Sequence, residues 1–141
     1  MTGRVVILAC VILVGVGAWL IGLPTDRRDI CDRTSLGTGP SGHAVRLCEI
    51  LYEIQPSGET WVIVRAEDSQ LDDVDLTVEM TDHDWACATW GLPALEHDPV
   101  PSRIVVQLMS EPFPRGEPSR RITQLIEAYS IQDGACIWEQ F

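Results

Sequence analysis

The run from Val5 to Leu23, VVILACVILVGVGAWLIGL, carries no charged residue over 19 positions. As a helix it would extend about 28 Å, close to the hydrocarbon thickness of a bilayer. A chain that begins this way must meet a membrane, so the residues beyond the run are read as exported. Two readings compete. The run is either an uncleaved anchor, or a signal peptide cut near Ala18, because Arg4 precedes it and Gly15, Gly17 and Ala18 supply small residues. The run is longer than a usual signal core and no A-x-A site closes it, which favours the anchor. Arg4 and the amino terminus are balanced by Arg27 and Arg28 on the far side, so positive charge does not set the orientation.

The cysteines constrain the rest. Cys10 lies inside the apolar run behind Ile7-Leu8-Ala9, a poor lipidation signal. Cys31, Cys48, Cys87 and Cys136 make an even number in a small domain behind an export signal, which reads as two disulfides formed in an oxidising compartment such as the periplasm. Three pairings are possible. Cys31–Cys48 with Cys87–Cys136 is preferred, because the first would tie down a Gly/Pro/Ser-rich loop and the second would join a helix to the last strand. Loop closure would contribute about 3 kcal/mol for the first and about 4 kcal/mol for the second. No C-x-x-C or H-x-x-x-H spacing marks a zinc site, and neither a metal nor another cofactor is expected.

A length of 141 residues leaves room for one domain beyond the apolar run. Ten basic residues face 21 acidic ones, for a net charge of -11, so a nucleic-acid backbone would be repelled. The chain has neither Lys nor Asn. Both residues use A-rich codons, so a GC-rich bacterial genome is the expected source. Residues 24–41 read as linker and loop, and the folded domain is expected over 42–141.

Val45, Leu47, Glu49 and Leu51 alternate with Arg46, Cys48, Ile50 and Tyr52, predicting a strand over 44–54. Pro56-Ser57-Gly58-Glu59 turns into a second strand at Trp61 to Arg65. Val74, Leu76 and Val78 alternate as a short third strand. Thr81-Asp82-His83-Asp84 has the form of a helix start, leading into a short helix that ends at Gly91-Leu92-Pro93. Arg103 to Met109 is β-rich. Residues 120–130 fit either a helix or a strand, and the Asp133-Gly134 turn just after them, before Ala135-Cys136-Ile137-Trp138, favours strand. The sum is an α+β fold, one mainly antiparallel sheet of five or six strands with one short helix.

CATWGLPAL at Cys87 to Leu95 and the terminal GACIWEQF at Gly134 to Phe141 resemble a family of small exported bacterial proteins known only as a domain of unknown function. The resemblance runs over Gly42 to Phe141. It implies a Cys87–Cys136 pair, with Cys31 and Cys48 as an addition, and carries no activity with it.

Few constellations suggest chemistry. Gly39-Pro40-Ser41-Gly42-His43 approaches G-x-S-x-G, but His43 fills the fifth position and no strand precedes it. Asp82, His83, Asp84, His97 and Asp98 could ligate a metal only if folding gathered them, and first-turn helix acids explain Asp82 and Asp84 more simply. The segment from Glu67 to Asp84 holds eight acids. It would attract a basic partner, or bind calcium weakly through Asp68, Asp72, Asp73 and Asp75, although the EF-hand spacing is missing. Trp61 and Trp138 read as core residues on strands. Trp90, beside a glycine at a helix end, is the best candidate for an exposed contact. No catalytic set emerges. The sequence therefore points to a non-enzymatic accessory or protein-interaction module at the periplasmic side of the membrane, with Trp90, Asp72, Asp73 and Asp75 as partner contacts. The alternative is a small-ligand or calcium module built on residues 67–84.

Overall fold

The computed structural model describes residues 30–31, 35–73, 76–117 and 120–140, without the side chains of 73–79. The apolar run lies outside these residues. Among them no helix is long and apolar enough to cross a membrane.

Six strands form one sheet in sequence order: β1 (Leu36–Thr38), β2 (Ala44–Ile54), β3 (Thr60–Asp68), β4 (Arg103–Met109), β5 (Gln124–Gln132) and β6 (Ala135–Glu139). Four of the five neighbouring pairs are antiparallel and β3 with β4 is parallel, so the sheet is mixed, antiparallel except at that one pair. A parallel pair needs a crossover. That crossover contains the helix α1 (Leu76–Ala86), a π-helical turn Cys87–Gly91 and a 3₁₀ turn Pro93–Leu95. The α+β class therefore holds.

Three expectations are corrected. The sheet starts before residue 42, because β1 lies in the segment read as linker. Of the strand expected at 74–78, Leu76 to Val78 lie in α1, and residues 74 and 75 lie outside the described residues. Thr81 to Asp84 accordingly lie inside a helix and do not start one. The reason is physical: Asp82, His83, Ala86 and Cys87 are buried at a helical spacing along α1 and the turn that continues it, but two of these four are polar. A hydrophobic pattern cannot register a buried face of that kind. Residues 124–132 are strand, and the turn that favoured this reading is present, with φ of 50° at Asp133 and 76° at Gly134. Those angles suit a two-residue hairpin, and glycine adopts them without a side-chain clash.

One face of the sheet receives the helix. Val45, Val62, Val64, Ala66, Ile104, Val106, Leu108 and Tyr129 pack there with Ala86 and Cys87. The register between β2 and β3 shifts between Leu47 and Glu49, leaving Cys48 as an extra residue. Because successive strand side chains alternate in face, this bulge keeps Val45 and Leu47 toward the helix and sends Glu49 to the opposite face. There Glu49 pairs with Arg65. Arg65 also donates to Gln107 Oε1 at 2.9 Å and to the carbonyl of Phe113 at 2.6 Å, and lies over the Phe113 ring. A second apolar cluster on this end gathers Cys31, Cys48, Met109 and Phe113.

Both cysteine pairs are disulfides, Cys31–Cys48 and Cys87–Cys136. The first fixes the segment before β1 to the β2 bulge. The second fixes the π-helical turn to β6, closing the helix onto the far side of the sheet.

Candidate functional site

Four polar side chains from three separate elements meet at the edge where β1 turns into β2. The turn is tight: Gly42 N–H donates to Gly39 O at 3.0 Å, and Gly39 N–H to His43 O at 3.0 Å. This places Ser41 over α1, where its N–H donates to Asp82 Oδ1 at 3.0 Å and its hydroxyl donates to Asp82 Oδ2. The hydroxyl oxygen in turn accepts from His43 N–H at 3.1 Å. His43 Nδ1 lies 2.8 Å from Asp68 Oδ2 at the end of β3. The other oxygen of Asp68 accepts from Gln70 N–H at 2.9 Å. Gly39 is needed for close approach, since a Cβ there would stand 2.7 Å from Asp82 Cγ.

Asp68 and Asp82 are each 1% exposed, whereas the His43 side chain is 18% exposed. Potential ligand atoms of His43, Asp68 and Asp82 all lie within 4.8 Å of one another. Two carboxylates are thus buried side by side with one imidazole, which alone reaches solvent. Such a cluster can clamp the turn to the helix, and its donor types also suit a cation.

The residues singled out from sequence fare differently. His83 is fully buried, its Nε2 3.1 Å from Leu125 O, and Asp84 accepts from Tyr129 OH at 2.8 Å. His97 stacks on Tyr52 with ring centroids 3.7 Å apart. Hence Asp82, His83, Asp84 and His97 do not converge, and only Asp82 joins the cluster. Trp90 is half-buried against the core, its ring edge-on to Trp85 at 4.9 Å. Trp138, expected in the core, is 39% exposed. Asp72 is exposed, while the side chains of Asp73 and Asp75 lie outside the described residues. Ser41 and His43 were visible only as part of a glycine-rich loop, and their partners stand 25 and 41 residues away in sequence.

Elsewhere, Leu36, Ala44, Arg46, Glu67 and Ser69 line an open depression of about 410 Å³. Strand alternation puts it on the face opposite the cluster, and its Arg46 is engaged by Glu67 through Nε at 2.8 Å. It therefore offers a compensated ion pair and no free charge from Arg46.

The sequence profile of a family of unknown function, DUF6497, matches residues 25–141. The chain belongs to this family. The match takes in the whole sheet, the helix and all four paired cysteines of this DUF6497 member. No curated protein and no solved structure matches the chain.

Proposed function

We propose that this DUF6497 protein is a non-enzymatic module of the periplasm, held at the inner membrane by residues 5–23 or released from it, that docks a partner protein by strand addition to β6. The supporting observation is the β6 edge itself. Among the described residues no strand pairs with its outer side, and it carries Ile137 and Trp138, 41% and 39% exposed. In a hairpin closed by two residues, Gln132 and Ala135 form a hydrogen-bonded pair, so the N–H and C=O groups of Cys136 and Trp138 point away from β5. Natural edge strands are usually blunted by Lys or Pro, and Ala-Cys-Ile-Trp-Glu contains neither. An edge left open in this way is suited to an extended partner segment. With a net charge of -11 and Asp72 exposed, a basic segment is the favoured guest, and salt should weaken the attraction.

The test places a photo-reactive residue at position 137 or, as a control, at Leu36 on the opposite sheet edge, in cells producing the full chain. A partner captured from 137, absent from 36 and lost in Trp138→Pro is the expected outcome. Pro removes an outward N–H and spares the β5 ladder. No capture from 137, or capture that survives Trp138→Pro, would overturn the proposal.

A further inference from the structure

We propose that His43, Asp68 and Asp82 form a binding site for one divalent transition-metal ion, a function separate from the β6 edge. The first argument is electrostatic. Asp68 and Asp82 are 1% exposed and lie close together, and no Arg is hydrogen-bonded to either among the described residues. Burying two neighbouring carboxylates is unfavourable unless positive charge accompanies them. A divalent ion would supply that charge.

The second argument is geometric. Ligand atoms around a tetrahedral ion with bonds of about 2.1 Å stand about 3.4 Å apart. His43 Nδ1 and Asp68 Oδ2, now hydrogen-bonded at 2.8 Å, would separate by about 0.6 Å to admit the ion, and the whole set lies within 4.8 Å. Asp82, whose two oxygens both accept from Ser41, would have to draw toward His43 by about an ångström while keeping its hydroxyl contact. The ion would take the place of the proton on His43 Nδ1, and that proton would leave to solvent. Ser41 already touches Asp82, and its hydroxyl would orient that ligand.

The donor set decides the class of ion. Calcium and magnesium favour all-oxygen shells, whereas an imidazole with two carboxylates suits zinc or manganese. The partly exposed His43 provides the way in, while both carboxylates stay shielded. The three ligands come from a hairpin turn, a strand end and a helix, so an ion there would join elements that no disulfide joins.

The experiment uses full-length protein in detergent with both disulfides intact and chelator removed, titrated separately with Zn²⁺, Mn²⁺ and Ca²⁺ by calorimetry. The expected result is one equivalent of Zn²⁺ or Mn²⁺ bound more tightly than Ca²⁺. His43→Gln and Asp82→Asn should each weaken it at least tenfold, and only the wild type should gain melting temperature with the metal. His43→Gln changes a partly exposed side chain, so it decides the matter if Asp82→Asn fails to fold. Absence of saturable binding, Ca²⁺ bound most tightly, or unchanged affinity in His43→Gln would overturn the assignment.

Discussion

Among the described residues, Arg65 is the largest side chain that the fold buries completely. A guanidinium in that position is tolerable only because Glu49, Gln107 and the Phe113 carbonyl all accept from it. Burial pushes its pKa below the ordinary value, and Glu49 works in the other direction. Arg65→Met should therefore cost about 3 kcal/mol, since it strands buried acceptors along with Glu49, and the urea midpoint would report it. Tyr129 is the counterpart on the helix face. Burial, and next its hydrogen bond to Asp84, raise its pKa above the usual value. The unfolded chain would ionise at this tyrosine near pH 10 while the folded one keeps the proton, so stability is full below about pH 10 and falls as the pH rises further. Denaturation midpoints between pH 9 and 12 should show a shallower alkaline decline in Tyr129→Phe than in the wild type. An equal decline in both would mean that other groups set the alkaline limit.

At the scale of elements, the strands were the legible part of the sequence. β2 and β4 begin and end where alternation and β-branched residues place them, because their apolar side chains report burial directly. α1 was hidden because Asp82 and His83 occupy its buried face, and the bulge at Cys48 was hidden because nothing in a two-residue period marks an inserted residue. The bulge explains why Glu49 can sit in line with Val45 and Leu47 in sequence yet face the other way. Disulfide contributions scale with loop length. Replacing Cys87 and Cys136 together by Ala should cost about 4 kcal/mol, against about 3 kcal/mol for Cys31 and Cys48, measured by chemical denaturation. Equal losses would indicate that local packing, and not closure, dominates. In the last hairpin, Gly134→Val would force a branched side chain to a φ of 76° and should lower the melting temperature by several degrees.

For the whole molecule, the pairing of cysteines was within reach of sequence reasoning, because one pair would tie down a Gly/Pro/Ser-rich loop and the other would join a helix to the last strand. The candidate site was not. Its residues are drawn together from a turn, a strand end and a helix by long-range packing, and each has an ordinary local explanation when seen alone. The proposed role depends on a domain completed by two disulfides outside the cytoplasm, displaying β6 to a partner. The most direct measurement of that foundation is the intact mass of protein taken from its native membranes, alkylated before and after reduction. Cys31, Cys48, Cys87 and Cys136 should take up label only after reduction, with Cys10 the sole thiol free beforehand if the apolar run is retained. Label on any of those four before reduction would contradict an oxidised, extracytoplasmic domain.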